Sequence, residues 1–189
     1  MGKQPLNENQ IKVLRKLTAT KPLHSLLLNL SVDLMLRASD LLKLRISDVL
    51  NEDRTVKEFV QVTQKKTKKT TIRIPLSENS KKAIREHLIY KDLDKFIFTG
   101  QKSHYTGKAI HINQYQRIVK SWMHELGIED TSTFSTHSMR KTKATHLYKK
   151  TNNVEAVRRL LGHQSVTATS AYLGVSDEDA ADLAKEYAI

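Results

Sequence analysis

The sequence predicts a mainly α fold with one small antiparallel β-hairpin, built as a single domain. Three observations support that class. Apolar residues recur three and four positions apart through most of the chain, the spacing that gives a helix one buried face. Only residues 56–63 and 70–76 change period, turning rich in Val, Ile and Thr around the polar run 64–69, which is a hairpin pattern. No internal repeat, low-complexity tract or Pro/Gly-rich linker divides the 189 residues, a length that suits one hydrophobic core.

Each element has a local reason. Asn7 or Asn9 can cap a first helix, whose Ile11, Leu14 and Leu17 are spaced three apart. Pro22 suits the first turn of a second helix, where a missing N–H is harmless; Leu26, Leu30 and Leu34 carry it to about Arg37. Ser39 is the expected cap of a short third helix with Leu41, Leu42 and Leu44. The hairpin spans about residues 56–76, with Pro75 at the end of its second strand. Helical spacing returns over about 78–90, 112–126, 136–148, 154–161 and 166–173. Phe96, Ile97 and Phe98 read as a short buried extended segment. Ser176-x-x-Asp179 resembles a capping box opening a last helix, about 176–188.

Composition narrows the function. Thirty-two Lys and Arg against twenty Asp and Glu leave a net charge of +12, which points to a polyanionic partner. The bases cluster at Lys65, Lys66, Lys68 and Lys69, at Arg140, Lys141 and Lys143, and at Arg158 and Arg159. Acids gather instead at the C-terminal end, in Asp177, Glu178, Asp179, Asp182 and Glu186. The absence of cysteine excludes disulfides, thiolate nucleophiles and sulfur-bound zinc. No apolar run approaches the length of a membrane span, and the start MGKQPLNENQ has no signal-peptide core, so a cytoplasmic protein is expected.

Several residues could carry chemistry. His137 and Arg140 stand three apart on an expected helix and share a face. Alone, such a pair reads as surface or satisfied core. His163 follows Gly162 at a helix–loop junction, and Tyr172 comes nine residues later. Arg37 ends the Leu-rich helix, with Asp40 placed three residues on to pair with its guanidinium. Trp122, with Ile118 and Leu126, reads as core. His104 and His111 are too weakly spaced to argue for a metal. His24, His87, His124 and His146 read as surface or structural, and Arg158 and Arg159 as a solvated or phosphate-contacting face.

Taken together, LRASDLL around Arg37, HSMR at residues 137–140, LGH ending at His163, and Tyr172 resemble the tyrosine recombinase (phage-type integrase) family. The likeness covers nearly the whole chain and implies that family's catalytic fold. It implies Tyr172 as nucleophile in a 3′-phosphotyrosyl intermediate, Arg37 and Arg140 as phosphate ligands, His137 as assistant in deprotonation and His163 as a hydrogen bond to phosphate. A hairpin lysine, Lys66, would protonate the leaving 5′ oxygen, with Lys65 or Lys68 as alternatives. Lys65, Lys68, Lys69, Lys141 and Lys143 would contact DNA. No metal and no cofactor are expected.

The resemblance further implies double-stranded DNA as partner, a homotetramer on DNA from a chain that is monomeric when free, and strand exchange between two DNA sites. The last helix, with Leu183, Ala184 and Tyr187, would dock on a neighbouring protomer, packing within its own subunit being the alternative. Residues 1–189 correspond to the catalytic domain, and the N-terminal core-binding domain is expected to be absent. The chain is then the catalytic half of a longer protein or a short recombinase like the fimbrial-type invertases. Lys141 stands where arginine or histidine is frequent, and Met139 where leucine is common. Two other functions remain open: a type IB topoisomerase, and a non-catalytic DNA-binding regulator on the same fold.

Overall fold

The computed structural model describes residues 3–66, 68, 70–100, 107–176, 178, 181 and 185. Among them the order is α1 (Glu8–Thr18), α2 (Pro22–Leu34), α3 (Ala38–Leu41), a 3-10 turn (Ile46–Asp48), β1 (Phe59–Val60), β2 (Ile74–Pro75), α4 (Glu78–Leu88), α5 (Ile112–Glu125), α6 (Thr136–Thr151), α7 (Val154–Leu161) and α8 (Val166–Leu173). Asp179, Leu183, Ala184 and Tyr187 of the expected last helix lie outside the described residues, as do Lys69 and His104. Among the described residues no helix is long and apolar enough to cross a membrane.

Side-chain caps start the helices where the sequence offers them. Asn7 Oδ1 accepts the Gln10 N–H at 2.8 Å while Gln10 Oε1 accepts the Asn7 N–H at 2.9 Å, so Asn7 rather than Asn9 opens α1. Ser135 and Ser138 make the same reciprocal arrangement at the start of α6, and Ser165 Oγ accepts the Ala168 N–H at the start of α8. α2 is the central helix: Ser25 through Leu34 are all buried, and α1, α4 and α6 pack around it. Its Asp33 is buried but not isolated. The carboxylate accepts from the Ser77 N–H at 2.8 Å, from the Ser80 hydroxyl and from Lys143 Nζ at 3.3 Å, which ties α2 to α4 and α6 and offsets the desolvation of the charge.

Two elements depart from expectation near the site. α2 stops at Leu34, three residues before Arg37, because Met35 takes a left-handed backbone (φ 47°). A non-glycine residue there is strained. Its side chain is buried with Ala144, Val157, Leu161 and Leu173 in a second apolar cluster, which Tyr172 borders. Arg37, not Ser39, then caps α3 from an extended conformation.

The hairpin is also shorter than the 56–76 expected. Leu76 N–H donates to Glu58 O, whereas Thr71 N–H donates to Val62 O. Four steps along one strand therefore face five along the other, which is a β-bulge. Ile72 and Arg73 are both exposed at the bulge, while Thr71 and Ile74 point inward.

Candidate active site

Arg140 enters the site from the first half of α6, which the Ser135 cap anchors. It is only 3% exposed. Its Nη2 donates to the Leu161 carbonyl at 2.7 Å, but Nη1 is buried with no hydrogen-bond partner. Desolvation pushes the guanidinium down to about 10, ahead of a favourable contribution from the Tyr172 phenol, an unfavourable one from Arg37 and a favourable one from Asp40. It stays charged at neutral pH, held dry and under-bonded.

Arg37 comes from the turn between α2 and α3, half-buried, and its Nη1 donates to Gln64 Oε1 at 2.6 Å. The expected ion pair with Asp40 is not formed. With Arg37 extended at the cap of α3, its side chain runs to Gln64, and Asp40 Oδ1 accepts the Lys65 N–H at 2.9 Å. Asp40 thereby ties α3 to the base of the lysine turn.

The two histidines enter neutral. His137 has one side in solvent; desolvation of the other, then the charges of Arg140, Arg37 and Lys3, lowers its pKa. His163 is pushed down to about 4, by desolvation first and then by Arg140 and Arg37. Its tautomer follows from counting protons. Thr169 has one hydroxyl proton and gives it to the Ser165 carbonyl at 2.9 Å, so its 3.2 Å contact with His163 Nδ1 is one in which the imidazole donates. His163 Nε2 is left with a lone pair.

Tyr172 projects from α8 edge-on to His163, with ring centroids 5.2 Å apart and planes at 90°. Lys141 Nζ lies 5.7 Å from the centre of its ring. The phenol hydroxyl is buried without a hydrogen-bond partner. Burial raises its pKa, while the charge and polar contact of Arg140 and the charge of Arg37 pull it back. A buried hydroxyl and a buried guanidinium nitrogen that meet no partner in hydrogen-bond geometry, on side chains in polar contact with each other, are costly features in a free protein. A tetrahedral anion between them would satisfy both.

The structure brings together Arg37, Arg140, His137, His163 and Tyr172. Lys65, Lys66 and Lys68 are exposed on the turn. Lys143 is engaged by Asp33 instead of facing solvent freely. Arg158 and Arg159 pair with Glu155, and Arg158 Nη1 also donates to the His163 carbonyl at 2.8 Å. His111 caps α5, and His24 Nδ1 accepts from Trp122 Nε1 in the core. Two participants went unread in the sequence. Thr169 could have been found, since it lies one helical turn before Tyr172. Gln64 offered no signal beyond a polar residue heading a lysine run.

Because the folded state depresses the His163 pKa below its ordinary 6.5, its contribution to stability is intact above about pH 6.5 and lost as pH falls through about 4. Thermal melting is expected to weaken over that window, and less so in His163→Gln. Equal acid sensitivity in the two proteins would contradict this.

The sequence profile of the phage integrase family matches residues 4–179. The chain belongs to this family. The probable integrase/recombinase YoeC of Bacillus subtilis is 34% identical over 144 residues, covering 76% of this chain and 72% of that protein. A tyrosine recombinase of Pseudothermotoga lettingae is 32% identical over 149 residues, covering 78% of this chain. The chain spans about half the length of that relative and of a tyrosine recombinase of Thermosipho africanus.

The fold of this integrase-family chain is that of tyrosine recombinase catalytic domains. The XerA recombinase crystal structure matches all of it with a TM-score of 0.78 at 20% identity, over 66% of XerA. XerH recombinase bound to palindromic difH substrate matches all of it at 0.72 and 20% identity, over 54% of that chain.

Proposed function

We propose that this integrase-family chain is the catalytic domain of a site-specific DNA recombinase. It cuts and rejoins double-stranded DNA through a covalent 3′-phosphotyrosine. The observation that carries the reading is the pair of buried, unsatisfied polar atoms, Tyr172 Oη and Arg140 Nη1, flanked by Arg37 and two neutral histidines.

The scissile phosphate enters between the guanidiniums, and Arg140 Nη1 gains its missing acceptor. As Tyr172 Oη bonds to phosphorus, the P–O5′ bond breaks, so one phosphodiester replaces another and the bond energy is kept. The pentacoordinate transition state gathers charge on the non-bridging oxygens, where rigid, permanently charged guanidiniums stabilise it most. The phenol proton passes to a neutral imidazole. His137 takes that role, and the free Nε2 of His163 makes it a second acceptor, which donates to the phosphate once protonated. A lysine of the hairpin turn, Lys66 or its neighbour Lys65 or Lys68, supplies the proton to the departing 5′ oxygen. Attack by the 5′ hydroxyl of a second site reverses the step and exchanges strands.

Lys65, Lys68, Lys69 and Lys141 supply the surrounding positive charge; Lys143 does so only when it leaves Asp33. The protein acts in the cytoplasm as a homotetramer on two DNA sites, with the C-terminal helix docked on a neighbour. The sequences and folds of the reported relatives favour this reading over a type IB topoisomerase. The unsatisfied charged site favours it over a non-catalytic regulator.

The test is capture. A pool of nicked DNA duplexes of randomised sequence, each able to lose a short 5′-hydroxyl fragment after cleavage, is incubated with the chain. A denaturant-resistant protein–DNA adduct through Tyr172 is expected. No adduct, or one mapped to another residue, sinks the proposal.

A further inference from the structure

Gln64 takes no part in the proposed bond-breaking and proton transfers, yet three parts of the site meet at its side chain. It heads the lysine turn and is 2% exposed. Its Oε1 accepts from Arg37 Nη1 at 2.6 Å, and its Nε2 donates to the Leu161 carbonyl at 3.4 Å. That same carbonyl accepts from Arg140 Nη2 at 2.7 Å, so its two lone pairs serve two donors. The approach is close enough that a Cβ on Gly162 would sit 2.9 Å from Gln64 Nε2, and Gly162 itself has φ +67°. Glycine meets both demands at that position, and it is the residue immediately before His163. The backbone joins in as well, since the Lys68 N–H donates to the Gln64 carbonyl at 2.9 Å.

We infer that Gln64 is a positioning residue: its buried carboxamide fixes the Arg37 and Arg140 guanidiniums in one arrangement toward the phosphate and couples that arrangement to the lysine turn. The inference rests on the recombinase reading above. The choice of side chain follows from the chemistry. Arg37 needs an acceptor that orients its fork without cancelling the charge the phosphate must meet, which a carboxylate would do. Leu161 needs a donor from the same group. A carboxamide offers an acceptor and a donor on separate atoms without charge, and glutamine has the length to span the two partners. The lysine turn and both phosphate ligands then share one hinge point, so displacement of the turn loosens the arginines together.

The test is a mutant cycle on the duplex that the capture experiment enriches. Gln64→Met keeps the volume and removes both polar ends. Its single-turnover cleavage rate at saturating DNA is expected to fall about 10- to 100-fold, the cost of a misplaced catalytic group, while DNA affinity changes little. In an Arg37→Lys background, which already lacks the fork that Gln64 holds, the same substitution is expected to cost far less. An unchanged rate, or an equal loss in both backgrounds, overturns the inference, the latter because it marks general structural damage. Where Gln64→Met does not fold, Gln64→Asn, one methylene too short to reach both partners, is carried through the same cycle with the same outcomes. Absence of adduct from the unmutated chain overturns the recombinase reading and this inference with it. Adduct formation that Gln64→Met leaves untouched overturns this inference alone.

Discussion

Tyr172→Phe is expected to remove all covalent DNA adduct, a loss of at least about 10⁴-fold, while leaving the fold and DNA binding intact. The asymmetry comes from the state of the hydroxyl. Tyr172 Oη is buried and meets no partner in hydrogen-bond geometry, so its polar contact with Arg140 does little to offset the desolvation of the hydroxyl. Deleting a buried, unsatisfied hydroxyl is neutral or stabilising by up to about 1 kcal/mol. The ring stays against the second cluster and edge-on to His163, since neither contact uses the oxygen. Melting and DNA-affinity measurements on the purified variant, beside the adduct assay, check both halves. A variant that still forms adduct places the nucleophile elsewhere. One that loses both adduct and fold shows that the hydroxyl has a structural partner.

How much of this was readable beforehand depends on how local each cause is. Ser135 and Ser165 cap their helices by bonding residues two and three positions ahead, so α6 and α8 could be read directly, and with them the shared face of His137 and Arg140. The order of Arg37, HSMR, LGH and Tyr172 was legible for the same reason: it is a pattern along the chain. Causes that act across the fold were not. Nothing in LMLRASD marks Met35 for a left-handed turn; burial against Leu161 and Leu173 selects it, and that moves the cap of α3 from Ser39 to Arg37. Asp33 draws in Lys143 from 110 positions away, which withdraws a lysine that the charge pattern assigned to DNA. Gln64 is defined by a carbonyl 97 positions away. The bulge at Ile72–Arg73 breaks a Val/Ile/Thr alternation that, taken locally, should have run on as strand.

Arg140→Met is expected to cut cleavage by about 10³-fold and at the same time to raise the melting temperature. The catalytic loss follows from removing a donor aimed at developing charge in a water-excluded site, where one such donor is worth about 10²–10³-fold. Arg140 supplies both a donor and a full charge, so its loss lies at or beyond the upper end. The gain in stability has a separate cause. Arg140 is 3% exposed, its Nη1 is unbonded, and among the described residues no carboxylate forms an ion pair with it. The drop to about 10 shows that the fold resists its charge at neutral pH. Because the folded pKa lies below the ordinary arginine value, this penalty is present at pH 7 and eases only as pH rises past about 10. Methionine fills a similar volume without the charge, and replacing buried ionic groups by apolar ones is neutral or stabilising by about 1–4 kcal/mol. One donor to the Leu161 carbonyl is lost, but Gln64 Nε2 remains. A net gain of about 1–2 kcal/mol corresponds to a rise of about 2–8 °C for a chain of this size. Calorimetry on the two proteins without DNA, and cleavage of the captured duplex, read the two effects independently. A variant that is both inactive and less stable would mean that Arg140 holds the fold together rather than waiting, at the fold's expense, for a phosphate.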